Sequence, residues 1–197
     1  MRKILRTQAP ECLQQAATDM TEKYVTTVSD PNTKARFRWP YKCYVLIRQK
    51  LLEMTQGRCA FCDGPFTGSP KTVEHFRPKS KYPYLAYMFD NLFPCCIACQ
   101  AAKKDRFDEK LLRPDDLEYQ FEDYFMLNLR EGKLEPSLMA SPEHQQRAKT
   151  SIDYYNLNMP ERNVARINMR EYFNLKRNST SEHIDINDFD YRYFLSD

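Results

Sequence analysis

Glycine is scarce in this chain, 4 residues in 197. That scarcity excludes glycine-rich phosphate cradles and leaves little material for flexible linkers. Long hydrophobic runs are missing too: no stretch of about 18 apolar residues exists, so no transmembrane helix is expected. The opening MRKILRTQAPE is basic but lacks the apolar core of a signal peptide, which sets the expectation of a cytoplasmic protein. There is no low-complexity run and no internal repeat, so neither a solenoid nor a disordered chain is expected. Charge is close to balanced at +3. That permits a polyanionic partner without demanding one, because a local basic patch matters more than the total.

Hydrophobic residues make up 42% of the chain and aromatics 13%, enough for a packed interior punctuated by 12 prolines. The length fits one compact domain, read as an N-terminal helical segment (1–57), a small core (58–107) and a mostly helical C-terminal segment (108–197). Seven cysteines in a cytosol favour thiols and metal ligands over disulfides, and an odd count fits four ligands plus three spares. Cys12 and Cys43 fall in helical stretches, where plain burial accounts for both.

Helix patterning places one helix from about Cys12 to Thr27, opened by Pro10, and a second from Tyr41 to Thr55. The second carries Tyr44, Val45, Ile47, Leu51, Leu52 and Met54 on a broad face and ends at a capping Gly57. Downstream, Tyr124–Leu129 and Lys133–Pro136 flank Arg130-Glu131-Gly132 as a small hairpin. Ser141-Pro142 and Asn158-Met159-Pro160 each read as a helix start. The last twenty residues are left as either a final strand or a mobile tail.

Between Arg58 and Phe107 lies the stretch that carries chemistry. Two Cys-x-x-Cys pairs, Cys59/Cys62 and Cys96/Cys99, are spaced to present four thiolates to one tetrahedral Zn²⁺. Cys95 could compete for a place, but the Cys-x-x-Cys spacing favours Cys96. A Cys₄ site has no open position, so this zinc is expected to be structural. About thirty residues separate the knuckles, more than a simple zinc ribbon needs, so the insert has its own task. The insert holds Glu74-His75 at the end of a β-like run from Lys71 to Phe76, and later Asn91. A carboxylate and an imidazole are the two groups that metal-assisted phosphodiester hydrolysis asks for. Adjacent strand residues point to opposite faces, so one shared site requires a break after His75. Arg77, Lys79, Lys81, Lys103, Lys104 and Arg106 crowd basic charge around the pair, as phosphate binding would need. The other histidines, His144 and His183, have no comparable neighbours.

The order Cys59–Cys62, Glu74-His75, Asn91-Leu92, Cys96–Cys99-Gln100-x-x-Lys103 resembles the HNH endonuclease superfamily. Its ββα-metal core runs Cys-x-x-Cys, acidic-His, Asn-Leu, Cys-x-x-Cys-Asn/His-x-x-Lys. With MRKI, EHFRPKSKYP and Leu157-Asn158 added, most of the chain looks like the PtuB-like nucleases of Septu and retron antiphage systems. The resemblance implies an α+β, mainly helical fold with a zinc-stapled ββα-metal core flanked by helices. It implies a metal-dependent endonuclease acting on nucleic acid, DNA before RNA, beside a PtuA-like ATPase partner. It assigns His75 as general base, Glu74 and Gln100 as ligands of a catalytic Mg²⁺ or Mn²⁺, and Asn91 as the residue that holds the loop and orients His75. Arg77, Lys79, Lys81, Lys103 and Lys104 become the nucleic-acid contacts. Where the family carries Asn or His, this chain has Gln100, whose extra methylene moves the ligand by about 1.5 Å. The alternative is a zinc-stabilised module that binds nucleic acid or an ATPase with a weakened nuclease site.

Overall fold

The computed structural model describes residues 1–30, 32–33, 36–66, 72–179 and 183–195. The fold is α+β. Among the described residues, five helices accompany two antiparallel two-stranded sheets: α1 (Glu11–Ser29), α2 (Tyr41–Thr55), β1 (Thr72–His75), β2 (Leu92–Cys95), α3 (Ile97–Lys103), β3 (Phe125–Asn128), β4 (Lys133–Pro136), α4 (Pro142–Tyr154) and α5 (Pro160–Ser179). Short 3₁₀ turns at Pro83–Leu85 and Phe89–Asn91 interrupt the loop between β1 and β2. Lys71, expected to open β1, lies outside the described residues.

Local chemistry explains most boundaries. Helix α2 buries Cys43, Ile47, Leu51 and Thr55, spaced four apart along one face, while Val45 stays half exposed. It ends with Gln56 in the left-handed region and Gly57 at φ +78°, the Gly57 N–H returning to the Leu52 carbonyl at 2.9 Å. The left-handed cap therefore falls on Gln56, one residue before the expected glycine. Ser141 caps α4 by accepting from the His144 N–H, with Pro142 in the first turn. In the β3–β4 hairpin Gly132 has φ +68°, and a Cβ there would lie 2.2 Å from the Asn163 carbonyl oxygen. Only glycine fits. Asn158 acts as a further strand for β4: its side chain accepts from the Leu134 N–H at 2.9 Å and donates to the Leu134 carbonyl at 2.8 Å.

Among the described residues three hydrophobic clusters form, and the two larger ones hold these pieces together. The larger joins Met1 and Ile4 to the knuckle residues, Phe93, Tyr119, Tyr155 and Phe194. The smaller joins α1 and α2 (Leu13, Ile47, Leu51) to Val73, Ala86, Tyr87 and Leu92. Segments 1–57 and 108–197 thus both pack on the core of 58–107.

Two expectations are corrected. Cys12 and Cys43 are bonded as a disulfide that ties α1 to α2. Helical periodicity reports which face is buried and carries no information on which buried thiols of separate helices meet. The described part of the C-terminal tail, residues 183–195, holds no strand and packs back on the fold: residues 186–188 and 192–194 form 3₁₀ turns, while 180–182 and 196–197 lie outside the described residues. Arg192 and Tyr193 are buried against the first knuckle, with the Tyr191 N–H donating to the Asp63 carbonyl at 2.8 Å.

Candidate metal centre and acid–histidine site

The first knuckle turns at Cys59–Gly64. The Asp63 N–H returns to Cys59, the Cys59 N–H donates to Gly64, and Ala60 donates to Pro94 of β2. Asp63 adopts φ +52°, a conformation that Asp tolerates better than most residues. A Cβ at Gly64 would lie 2.8 Å from the Tyr191 ring, so the glycine leaves room for the tail. The second knuckle runs from the end of β2 into α3. Together they bring the sulfurs of Cys59, Cys62, Cys96 and Cys99 within 4.8 Å of one another, close enough to bind a metal such as zinc. A tetrahedron with Zn–S arms of about 2.3 Å has edges of about 3.8 Å. The Cys62–Cys96 sulfur separation is 3.8 Å, so the set fits such an ion. Cys95 is not one of the four grouped sulfurs; its thiol donates to the Cys96 carbonyl at 3.4 Å.

The sulfurs also share an electrostatic environment. Burial alone would raise the Cys59 thiol, but hydrogen bonds from Cys62, Cys95, Cys96 and Cys99 outweigh it and hold it well below the usual range. A buried cation stands beside the cluster, for Arg162 of α5 donates to Cys99 Sγ at 3.4 Å and to the Asn156 carbonyl at 2.6 Å. Nothing in the sequence singled out Arg162. A Pro160-Glu161 helix start places it two residues in, where its guanidinium meets thiolates sixty residues upstream.

Strand β1 pairs with β2 in register through His75↔Leu92, so no kink intervenes. Glu74 and His75 accordingly part company. The Glu74 carboxylate meets Lys103 of α3, with Nζ–Oε1 at 2.7 Å, and the same ammonium donates to the His75 carbonyl at 3.1 Å. Lys103 is fully buried, which removes it from the surface residues expected to contact nucleic acid. Burial pushes the Glu74 carboxyl up, against the Lys103 charge and a hydrogen bond from Gln100. Gln100 also donates through Nε2 to the Val73 carbonyl at 3.1 Å.

His75 turns the other way. Its ring stacks on Trp39 at 5.7 Å and meets Phe37 edge-on at 5.3 Å, while Nε2 lies 2.9 Å from the Ala86 carbonyl. A carbonyl can only accept, so Nε2 carries the proton and Nδ1 keeps its lone pair. Burial, then the Lys79 charge, pushes the imidazole down to about 3, so it is neutral at physiological pH. Sequence reading missed this aromatic wall. The alternation in Arg36-Phe37-Arg38-Trp39 was its one signal.

Asn91 closes the loop that carries Ala86. Its Oδ1 accepts from the Arg77 N–H at 2.8 Å, and Nδ2 donates to the Arg77 and Leu85 carbonyls at 2.9 and 3.2 Å. It positions His75 through the residue before Ala86 rather than by direct contact. Arg6 braces the same turn from outside, donating to the Phe89, Asp90 and Leu92 carbonyls and pairing with Asp115 at 2.7 Å. Of the expected basic contacts, Lys81 and Lys104 are exposed, Lys79 is half-buried, and Arg77 pairs with Glu109 at 3.0 Å. Arg106 pairs with Asp153 at 3.0 Å. Among the described residues no helix is long and apolar enough to cross a membrane. Compared with known proteins, the chain matches no family model and no curated protein.

Proposed function

We propose that the chain is a phosphodiester-cleaving endonuclease of HNH type, acting on nucleic acid, with β1, β2 and α3 as its ββα core. The observation that carries this reading is the state of His75. Its Nε2–H is anchored on the Ala86 carbonyl, which leaves the lone pair of the ring on Nδ1. A general base needs that tautomer, held still, and here Asn91 and the Trp39 and Phe37 rings hold it. A zinc ion on Cys59, Cys62, Cys96 and Cys99 would have a closed coordination shell and would supply folding free energy, not chemistry. An ATPase partner of PtuA-like type and a role in antiphage defence belong to the same proposal and rest on the sequence resemblance.

The residues assigned to a catalytic Mg²⁺ or Mn²⁺ do not fit one as arranged. Glu74 is paired with the Lys103 ammonium, and Gln100 directs its NH₂ at a carbonyl. A buried ammonium therefore occupies the carboxylate that a hard cation would need. This pairing is the specific observation that favours the second reading, a zinc-stabilised module that binds nucleic acid or an ATPase without cutting.

One experiment separates them: incubation of plasmid DNA and total RNA with purified protein, with Mg²⁺, with Mn²⁺ and in chelator, using wild type and His75→Ala. Cleavage that His75→Ala abolishes supports the nuclease and identifies its substrate, and the chelator arm tells whether a divalent ion is used. Cleavage indifferent to His75→Ala, or none under any condition, leaves the binding module.

A further inference from the structure

Residues 36–39, Arg-Phe-Arg-Trp, run as extended chain between the two N-terminal helices. Alternation in such a segment sends successive side chains to opposite sides. Phe37 and Trp39 are half-buried against His75, while Arg36 and Arg38 are exposed. The two arginines are tied closely to the acid–histidine site. Arg38 precedes the ring stacked on His75, and its carbonyl accepts from the Tyr87 hydroxyl at 2.8 Å. Tyr87 in turn follows Ala86, the anchor of His75. Lys79, which the sequence placed among the phosphate contacts, sets its ammonium 5.1 Å from the Phe37 ring centroid. Three cations thus surround one aromatic cluster.

Both arginines also line an open cavity of about 300 Å³ with Lys23, Tyr24, Thr27 and Tyr87, and no carboxylate lines it. Lys23 is already paired with Asp19 at 2.7 Å. Among the described residues neither Arg36 nor Arg38 forms an ion pair. A segment needed only to wall His75 has no use for two exposed guanidiniums that lack an ion-pair partner. Guanidiniums meet phosphate oxygens in a fixed fork, and the neighbouring tyrosine faces can receive bases or sugars.

We infer that Arg36 and Arg38 form, with Lys79, a phosphate-binding surface that leads the nucleic-acid backbone across α1 toward His75. It rests on the nuclease reading only in taking nucleic acid as the polyanion. The partner is the sugar–phosphate backbone, so recognition there is insensitive to base sequence and sensitive to salt.

The test is binding, not cutting. In a His75→Ala background, the affinity for a labelled oligonucleotide is measured by anisotropy across a salt series, as single-stranded DNA, duplex DNA and RNA. Arg36→Ala/Arg38→Ala should weaken binding and lower the log–log salt slope by about 2, one for each lost phosphate contact. Arg130→Ala/Lys149→Ala, removing two exposed cations from the β3–β4 turn and α4, should leave the slope unchanged. Trp39 emission and melting temperature confirm that the Arg36/Arg38 variant is folded. Loss confined to one of the three probes means that the surface selects that form. An unchanged affinity and slope, an equal loss in the control variant, or no binding of any probe by the His75→Ala parent overturns the inference. Because binding does not require cleavage, a chain that binds through these arginines yet never cuts would keep this surface and sink only the nuclease.

Discussion

Two acids are buried within the Cys₄ core region, and each faces a cation, but they are built differently. Asp63, 2% exposed, follows Cys62 of the first knuckle. It accepts the Arg192 backbone N–H at 2.7 Å, Nε at 3.0 Å and Nη2 of the same residue. Arg192 spends its remaining donors on the Thr55 carbonyl at 3.1 Å and the Gln56 side chain. Glu74, 5% exposed, faces the single ammonium of Lys103, and burial raises its carboxyl. A guanidinium fork fixes both partners in one plane, whereas an ammonium is a point charge that tolerates displacement. The Asp63 pair is a latch holding the C-terminal tail on the first knuckle. The Glu74 pair leaves a carboxylate whose partner can shift, on the opposite face of β1 from the His75 ring.

Breaking the latch should have the largest effect. Arg192→Met leaves Asp63 buried without its cation, at a cost of about 3–5 kcal/mol. Denaturant midpoints should fall accordingly, and the tail should become protease-sensitive. A loss below about 1 kcal/mol would mean that the tail is held by its aromatic residues instead. The N-terminal half offers a second contrast. The disulfide between Cys12 and Cys43 closes a separation of 31 residues, worth about 3–4 kcal/mol in the chain-entropy picture. It lies on the His75 side, in the cluster that holds Ala86 and Tyr87. In Cys12→Ala/Cys43→Ala, Trp39, the only tryptophan, should report unfolding at lower denaturant. The absorbance of Co²⁺ bound at the four thiolates should persist longer. Coincident midpoints would show that the two regions unfold as one unit.

The element pattern was legible because its signals are local. Cys-x-x-Cys spacing, Pro in a first helical turn and Gly132 between two strand-like runs each act within a few residues. The pairs that decide the site are not local. Asp63 and Arg192 are 129 positions apart, and Glu74 and Lys103 are 29 apart. Each reads in isolation as an exposed charge, because burial of a charge depends on a partner that no window contains. Lys103 shows the consequence. It stands in a basic run that reads as a surface contact, yet its position in α3 carries it under β1. Asn91 was read more nearly, since its clamp joins backbone groups of the loop it terminates.

The pH response should sharpen the comparison further. Lys103→Met leaves Glu74 buried, but a carboxyl already raised by burial can escape by taking up a proton. With the folded-state value above the unfolded one, the folded form binds more protons between the two, so stability falls as pH rises through that window. The cost of Lys103→Met should therefore be about 1–3 kcal/mol at neutral pH and shrink toward pH 5. A cost that grew on acidification would show that Glu74 remains charged and has found another partner.

The smallest effect belongs to Gln100. Its Nε2 reaches the Val73 carbonyl at 3.1 Å, and it also hydrogen-bonds Glu74. Asn, shorter by about 1.5 Å, cannot span to Val73 from the same helix position. Gln100→Asn should thus lose one side chain–backbone hydrogen bond, about 0.5–1.5 kcal/mol, measurable as a small drop in denaturant midpoint. The same change withdraws a donor from Glu74, while the Asp63 latch is untouched. If the Glu74 side of the core is the adjustable one, divalent ions should raise the melting temperature of Gln100→Asn more than that of wild type. Equal ion responses in the two proteins would mean that the Lys103 ammonium, and not the length of residue 100, keeps a cation away from Glu74.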